Sequence, residues 1–143
     1  MSYAHVIAVE FNHCDPAGMV FYPRFFEMIN SVVENFFDEE LHYPFARMHV
    51  EEGYAVPTAR IETEFHAPAR LGERLRFDLA VTRLGRTSLH LTIRAAGGDG
   101  PKLTARSVLV FVDRYGRPTR WPEEVREKLA VMVREEGDGG NPA

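Results

Sequence analysis

The residues best suited to chemistry lie in one short segment, His13-Cys14-Asp15-Pro16-Ala17-Gly18. An Asp-Pro pair beside a glycine is typical of a turn, and the nearby Pro23 suits the first turn of a helix. A helix N-terminus presents unpaired N–H groups and a partial positive charge, which can stabilise a developing oxyanion. A carboxylate in the preceding turn could attack a carbonyl held there, or activate water against it. Asp15 is therefore a candidate catalytic residue, and a purely structural role in the turn is the alternative.

Other groups in the segment are weaker candidates. Cys14 as a nucleophile needs a neighbouring base and a lowered pKa, so a buried thiol in a turn is the simpler interpretation. His13 lies beside the site and could tune it, although a surface histidine in a loop explains it equally well. The six histidines of the chain show no metal-ligand spacing, so no metal site is predicted. The sequence also lacks a phosphate-binding glycine loop, a GxSxG elbow and an HExxH motif.

Composition limits the class of protein. With 143 residues, of which 45% are apolar and 27% charged, the chain suits one domain with a single core. A net charge of -4 argues against general nucleic-acid binding, which needs a basic face. The N-terminus does not resemble a signal peptide, no apolar run is long enough to span a membrane, and a lone cysteine excludes an intrachain disulfide. These features predict a cytoplasmic protein.

The elements that position the Asp15 segment are a strand before it and a long helix after it. Loose alternation over residues 4–11 predicts a strand with Ile7, Val9 and Phe11 on one face. From residue 23 to 38, apolar residues recur at i, i+3, i+4 and i+7, which predicts an amphipathic helix with a broad apolar stripe. Residues 39–55 are less regular and predict a loop with a short helix.

After Pro57 the apolar residues alternate with period two, which predicts strands over 59–66, 74–82, 89–95 and 102–112. Because residues 108–112 are almost continuously apolar, we expect a central strand that is buried on both faces. A modest helix is predicted over 122–135 and a disordered tail over 137–143, so residues 1–136 form the single predicted domain. One long helix against one face of a five-stranded antiparallel sheet is an α+β fold.

The segment from Asp15 to Phe26, Asp-Pro-Ala-Gly-Met-Val-Phe-Tyr-Pro-Arg-Phe-Phe, resembles the signature of the 4-hydroxybenzoyl-CoA thioesterase family of hotdog proteins. The match extends over about ten positions in order, and the element order agrees from residue 4 to about residue 113. Cys14 and Tyr22 resemble the 4-hydroxybenzoyl-CoA branch, because the sister branch usually has histidine at the position of Tyr22.

The resemblance implies a hotdog fold, in which the sheet wraps the long helix and active sites lie at a dimer interface. It implies that Asp15 acts as nucleophile or general base, that the backbone N–H of Tyr22 polarises the thioester carbonyl, and that no cofactor takes part. Phe21, Phe25 and Phe26 could line the acyl pocket, with Phe21 and Phe25 as the predicted walls. The hairpin with Arg83, Arg86 and Ser88 resembles the basic stretch that meets the CoA nucleotide in this family, although a solvated turn is equally compatible with it.

The expected function is hydrolysis of an acyl-CoA thioester to the carboxylic acid and free CoA. An aromatic acyl group such as benzoyl or 4-hydroxybenzoyl is one possibility, and short aliphatic acyl groups stay open. The alternatives are a non-catalytic acyl-thioester-binding hotdog protein, a hotdog dehydratase that would need a site histidine such as His13, and a purely structural oligomer. We expect a homodimer or homotetramer, because one helix covers one face of the sheet only and residues 108–112 are apolar on both faces.

Overall fold

The computed structural model describes residues 2–134 and contains, within them, five strands and two α-helices. The strands are β1 Tyr3–Ala8, β2 Thr58–Phe65, β3 Arg74–Leu84, β4 Ser88–Gly97 and β5 Gly100–Val110. The helices are α1 Pro23–Glu39 and α2 Glu123–Met132, and short turns of 3-10 and π-helix occur at Phe11–His13 and Ala46–Glu51.

The five strands form one antiparallel sheet in the order β1-β3-β4-β5-β2. Every neighbouring pair is antiparallel, so the sheet has β1 and β2 as its two edges. On the inner face, alternate residues such as Phe77, Leu91 and Ile93 are buried. This alternation is the period-two pattern of the sequence, and it directs one apolar face of the sheet toward α1.

Helix α1 buries one stripe of side chains against that face. The buried residues are Phe25, Met28, Ile29, Val32, Val33, Phe36 and Phe37. Each is worth roughly 1.5–3 kcal/mol of transfer free energy, so burial of this stripe contributes substantially to the stability of the core. Pro23 stands at the first helical position, as its missing N–H and fixed φ allow. The predicted α+β fold, with one long helix against a five-stranded antiparallel sheet, is confirmed.

Two sequence predictions about strands are wrong. The first strand ends at Ala8 rather than residue 11, because Glu10 and His13 cap a 3-10 turn that leaves Phe11 82% exposed. Strand β5 lies between β4 and β2, so the prediction of an interior strand is confirmed, but the prediction of burial on both faces is wrong. On the outer face, Val108 and Val110 are half-buried rather than buried.

Helix α2 packs against β3, near the C-terminal end of α1. Val125 and Leu129 are buried in the common core, and the ring of Trp121 stacks on Phe37 and Phe111. The predicted helix over 122–135 is thus shorter in the structure, with Pro122 as its N-cap. The predicted disordered tail over 137–143 lies outside the described residues, so that prediction and the 1–136 domain boundary are untested.

The antiparallel order separates two regions of functional interest. Ala8, which leads into the Asp15 segment, pairs with Arg74 at the start of β3. The hairpin after β3 lies at the other end of that strand. With 11 residues in β3 and a rise of ~3.4 Å per residue, the two ends of the sheet are roughly 34 Å apart.

Candidate functional site

The Asp15 loop, residues 14–20, is a tight hairpin of its own. Cys14 and Val20 form an antiparallel bridge, and the N–H of Asp15 donates to the carbonyl of Met19 at 2.8 Å. Gly18 turns the chain with φ of 79°, a left-handed conformation that favours glycine. The sequence signal of a turn at Asp-Pro with a following glycine therefore has a direct structural basis.

The Asp15 carboxylate uses its two oxygens differently. Oδ1 accepts hydrogen bonds from the backbone N–H groups of Ala17, at 2.9 Å, and Met19, at 3.3 Å. Oδ2 accepts no hydrogen bond from residues 2–134, and the side chain is half-buried. Oδ1 organises the turn, as the structural alternative predicted, and in doing so it fixes the carboxyl group while leaving Oδ2 available for chemistry.

At the start of α1, each backbone N–H of residues 21–25 but one either donates a hydrogen bond or is absent. The N–H of Phe21 donates to His13 at 3.0 Å, Pro23 has no N–H, and the N–H of Arg24 donates back to Phe21 at 2.8 Å. Phe25 in the same way donates to Tyr22 at 3.0 Å. The Tyr22 N–H is left without a backbone or side-chain partner within residues 2–134. It is the donor that this first turn offers to a ligand oxygen.

The loop between β2 and β3, residues 66–73, lies against the Asp15 loop and forms backbone hydrogen bonds with it. Ala69 accepts from the N–H of Val20 at 2.8 Å, and the N–H of Leu71 donates to Gly18 at 2.9 Å. Met19 and Arg70 form an isolated antiparallel bridge between the same two segments. This β2–β3 loop gives the Asp15 loop a fixed position that its own hydrogen bonds do not supply.

Aromatic rings gather where β2 ends beside the start of α1. The ring of Phe65 lies 6.1 Å from Tyr22, 5.8 Å from Phe25 and 6.2 Å from Phe26 between centroids. Tyr22 is 61% exposed and Phe21 51% exposed, whereas Phe25 is buried. The edge of β2 and the N-terminus of α1 therefore share one apolar surface.

A cleft of about 710 Å³ continues from this surface along α1. Most of its lining is apolar and comes from α1, β2, β5 and the segments on either side of the π-helical turn: Phe26, Ile29, Val33, Phe45, Ala55, Val56, Pro57, Ile61 and Leu109. Asn30, His49, Thr58 and Ser107 add polar groups. Neither Phe21 nor Phe25, the predicted pocket walls, lines this cleft, and Phe26 takes that place. The roles of Phe21 and Phe25 remain predictions.

The hairpin of residues 83–88 lies at the opposite end of the sheet, away from the Asp15 loop. Arg83 and Arg86 are exposed, and neither forms an ion pair within residues 2–134. The carbonyl of Gly85 accepts from Arg126 Nη1 at 2.9 Å, and that of Ser88 accepts from Trp121 Nε1 at 3.3 Å. The backbone of the hairpin is thus anchored, while its guanidinium groups extend into solvent.

A histidine of β4 lies beside the hairpin and adds no charge to it. His90 lies opposite Arg83 in the β3–β4 ladder. Burial lowers the pKa of His90, and the Arg83 cation lowers it further, so this imidazole is neutral at pH 7. A Cβ at Gly85 would lie 2.3 Å from the Ser88 hydroxyl, so a larger residue there requires that hydroxyl to rotate away.

Cys14 and His13 both have structural partners. The thiol of Cys14 donates to the carbonyl of Glu10 at 3.5 Å. His13 Nδ1 accepts from the N–H of Glu10 at 2.8 Å, which closes the 3-10 turn before the Asp15 loop. Among residues 2–134, no group of histidine, cysteine, aspartate and glutamate side chains has the arrangement of a metal site. No helix in this part of the chain is long and apolar enough to cross a membrane.

The sequence profile of the Thioesterase-like superfamily matches residues 9–129, which include the Asp15 loop, both helices almost entirely and four strands. The chain belongs to the Thioesterase-like superfamily. No curated protein sequence matches the chain at a significant level. Membership in the narrower 4-hydroxybenzoyl-CoA thioesterase family stays a prediction.

Solved structures share the superfamily fold over nearly the whole chain. A 1,4-dihydroxy-2-naphthoyl-CoA thioesterase from Synechocystis superposes with a TM-score of 0.82 at 18% identity, covering 99% of this chain and 100% of its own. A gentisyl-coenzyme A thioesterase gives 0.81 at 19%, covering 89% and 99% respectively. A hypothetical protein from Staphylococcus aureus in complex with CoA gives 0.84 at 16%, covering 100% and 95%. These likenesses confirm the predicted hotdog fold.

Sequence reasoning missed two parts of this surface. Phe65 ends the period-two run of β2, and its place at a strand terminus was the available signal. Phe26 was named as a pocket candidate but not preferred over Phe25, because the helical period alone does not decide which of two adjacent aromatics faces a cleft. The β2–β3 loop gave no signal, because its contribution is made by backbone groups.

Proposed function

We propose that this superfamily member hydrolyses an acyl-CoA thioester to the carboxylic acid and free CoA. The observation that carries the proposal is the pair of unpartnered groups at the start of α1, Asp15 Oδ2 and the Tyr22 N–H. The rungs between Cys14 and Val20 and between His13 and Phe21 join them within one small hairpin. A carboxylate and an oxyanion donor in one rigid unit are the two groups that thioester cleavage needs.

In this mechanism the thioester carbonyl oxygen accepts a hydrogen bond from Tyr22 N–H. Asp15 either attacks the carbonyl carbon through Oδ2, or removes a proton from a water molecule that attacks it. The C–S bond then breaks, and CoA leaves as a thiolate that takes up a proton. In the nucleophilic route, water hydrolyses the resulting anhydride and restores the carboxylate. The Tyr22 N–H stabilises the negative charge that develops on the carbonyl oxygen.

For the acyl group we infer an aromatic ring. The rings of Phe65, Phe26 and Tyr22 meet beside the site, and the adjoining cleft of about 710 Å³ is mostly apolar with a few polar groups. Apolar lining with sparse polar contacts is typical of small-molecule pockets. Two proteins of similar structure are named for aromatic thioesters, 1,4-dihydroxy-2-naphthoyl-CoA and gentisyl-coenzyme A. Short aliphatic acyl groups are the alternative that the same surface accommodates.

For the CoA moiety we propose that Arg83, Arg86 and Ser88 contact the phosphates. The protein is acidic overall, with a net charge of -4, so an anionic ligand needs local cations. The two arginines are exposed, and ion pairs within residues 2–134 do not occupy them. Guanidinium groups suit phosphate oxygens because they donate two hydrogen bonds at once. Within one chain, however, this hairpin and the Asp15 loop lie at opposite ends of the sheet.

A homodimer resolves that separation. Strand β2 is a sheet edge beside the start of α1, and most of its residues are exposed. In an antiparallel pairing about a twofold axis at Ile61, Arg60 of each chain stands opposite Glu62 of the other, an opposite-charge pair. The Asp15 end of one sheet then faces the same way as the hairpin end of the other. At a strand spacing of ~4.8 Å, the lateral gap is roughly 15–20 Å, which extended CoA would bridge.

One observation favours a second candidate, a non-catalytic acyl-thioester-binding protein. Asp15 Oδ1 already organises the turn through Ala17 and Met19, so the carboxylate has a structural reason to be there. A dehydratase receives less support, since His13 Nδ1 is bound to the Glu10 N–H and the residue stands before the aspartate.

Turnover separates the candidates. Purified wild-type protein should release free thiol from at least one member of a panel of benzoyl, hydroxybenzoyl, dihydroxynaphthoyl and short aliphatic CoA thioesters. We expect the fastest release with an aromatic member. A protein that binds these thioesters in calorimetry without releasing thiol from any of them is a binding module, and the proposed hydrolysis is then wrong.

A further inference from the structure

Lys102, near the start of β5, is 1% exposed and still forms a dense set of polar contacts. Its Nζ donates to the carbonyl of Pro68 at 2.9 Å and lies 3.2 Å from Glu73 Oε1 and 2.7 Å from Asp99 Oδ1. Burial alone lowers the pKa of Lys102, but the hydrogen bonds with Asp99 and Glu73 outweigh burial, so the net shift is upward and the ammonium stays charged at pH 7.

These contacts join two loops at the Asp15 end of the sheet. Asp99 belongs to the turn between β4 and β5, while Pro68 and Glu73 belong to the β2–β3 loop. Glu73 also uses its other oxygen, Oε2, to accept the N–H of Arg70 at 2.6 Å. A Cβ at Gly97 would lie 2.6 Å from Glu73 Oε1 and 2.9 Å from Lys102 Cε, so glycine at this position leaves space for the Glu73 and Lys102 side chains. All three N–H donors of the buried ammonium have acceptors. Because a buried charge without such partners costs free energy, this set of contacts indicates a specific structural role.

The β2–β3 loop passes the constraint on to the Asp15 loop. Ala69, directly after Pro68, accepts the N–H of Val20, and the N–H of Leu71 donates to Gly18. At its end the same loop pairs with the strand before the site, because the carbonyl of Glu73 accepts the N–H of Val9 at 2.8 Å. Two short hydrogen-bonded steps therefore connect the Lys102 ammonium to the backbone that sets the direction of the Asp15 carboxylate.

We propose that Lys102 is a positioning residue of this site: its ammonium clamps the β2–β3 loop, which holds the Asp15 loop in its reactive position. The inference rests on the proposed thioester hydrolysis for its effect on rate, but the clamp itself is a property of the fold. Lys102 contacts no reacting atom. Loss of the clamp should therefore act through misplacement of Asp15, and small misplacements of a reacting group are expensive in rate.

The first test measures the clamp without reference to activity. In Lys102→Met, the backbone amides of Val20 and Leu71 should exchange with deuterium at least ~10-fold faster than in the wild type, because the loop that pairs with them is released. Lys128→Met is the matched control, since Lys128 Nζ donates to a backbone carbonyl, that of Leu41 at 3.0 Å, far from the site. The control should leave both amides unchanged.

The second test measures the rate on the best acyl-CoA. Lys102→Met should lower kcat ~10- to 100-fold and change KM less than ~3-fold, as expected for a positioning effect. In an Asp15→Asn background the same substitution should lower kcat less than ~3-fold further, because both changes act on one group. A merely structural lysine would lower stability and the folded fraction, but it would not lose its effect on kcat in that background.

The outcomes are separable. Unchanged exchange at both amides in folded Lys102→Met overturns the proposal, and so does accelerated exchange with unchanged kcat. If Lys102→Met does not fold, Glu73→Gln replaces it, since glutamine keeps an oxygen for Lys102 but removes the charge, and ~3-fold or greater acceleration of both amides is expected. If the wild type hydrolyses no acyl-CoA, the proposed function fails, and the amide exchange still confirms or overturns the clamp.

Discussion

The Asp15 loop and the hairpin of residues 83–88 are both glycine-bearing turns, yet they present their chemistry in opposite ways. At the Asp15 loop and the adjoining start of α1, the available groups are Asp15 Oδ2 and the backbone N–H of Tyr22. Hydrogen bonds of neighbouring atoms to the chain hold both groups in place. In the hairpin, Trp121 and Arg126 anchor the backbone, but the guanidinium groups of Arg83 and Arg86 are exposed.

This difference predicts how each region responds to change. Under the proposed function, the Asp15 loop acts through position, so a substitution that moves an atom by a fraction of an ångström affects the rate. Under the same proposal, the hairpin acts through charge in water, where interactions are screened and individually weak. Substitutions in the Asp15 loop should therefore lower kcat by a large factor. Substitutions in the hairpin should raise KM by a modest factor.

The largest effect is expected at Asp15. Asp15→Asn keeps an oxygen for the N–H groups of Ala17 and Met19 but loses the charge, so kcat should fall at least ~10²-fold with little change in stability. Asp15→Ala should lose the same activity and also about 1 kcal/mol of stability, because two N–H groups lose their acceptor. Steady-state kinetics and thermal unfolding measure the two. An Asn variant that keeps most of its activity assigns Asp15 to the turn alone.

A smaller effect is expected at Gly18. Alanine there must adopt φ near 79°, at a cost of roughly 1–2 kcal/mol. The strain falls between the two N–H groups that orient Asp15, so kcat should drop roughly 10-fold. Gly116 has φ of 78° and similarly open surroundings, in a turn away from the site. Gly116→Ala should lose comparable stability without losing kcat. If Gly18→Ala and Gly116→Ala lowered kcat equally, the effect of Gly18→Ala could not be attributed to the position of Asp15.

Arg86→Ala should raise KM for the acyl-CoA by about 3- to 10-fold and change kcat less, because the phosphates lie far from the reacting carbonyl. Added salt should weaken substrate binding in the wild type more than in the variant. Arg117→Ala, at another exposed arginine, is the control and should leave KM unchanged. The same acyl group on a phosphate-free thiol should be insensitive to Arg86→Ala. Equal harm to that short substrate would mean that the hairpin supports the fold instead.

The smallest effect is expected for Tyr22→Phe. The proposed donor is the backbone N–H of Tyr22, and the phenol is 61% exposed, so removing the hydroxyl should change kcat by less than ~3-fold. Initial rates on the best acyl-CoA measure this directly. A large loss of kcat would show that the hydroxyl takes part and that the backbone assignment is incomplete.

The sequence predicted the parts of the fold that follow from periodicity. The apolar stripe of α1 and the alternating strands were visible because burial on one face imposes a fixed spacing. The extension of β1 to Phe11 was wrong, since a capped 3-10 turn depends on the contact between Glu10 and His13 rather than on apolar spacing. The two-sided burial of residues 108–112 was wrong because an apolar run does not specify which element covers its second face.

The candidate site was predictable only in part. Asp15 and the start of α1 followed from turn residues, a proline and a family resemblance. The placement of the hairpin at the far end of the sheet did not, because strand order depends on pairings distant in sequence. Lys102 gave no signal either: a lysine in an alternating strand predicts an exposed side chain. Its burial depends on the β2–β3 loop, whose Pro68 lies 34 residues earlier, and on the space left by Gly97.

Mixing two defective proteins tests most directly whether the two ends of the sheet serve one thioesterase site. The Asp15→Asn and Arg83→Ala/Arg86→Ala proteins are combined in equal amounts under conditions that let subunits exchange. Initial rates are then measured over acyl-CoA concentrations that span the wild-type KM, and the recovered rate is compared with that of the wild type well below it. If each site joins the Asp15 loop of one chain to the hairpin of the other, about a quarter of all sites become wild type, and the rate recovers to about a quarter of the wild-type rate with the wild-type KM. If the mixture shows only about half the rate of the arginine variant and no component with the wild-type KM, the shared site is wrong.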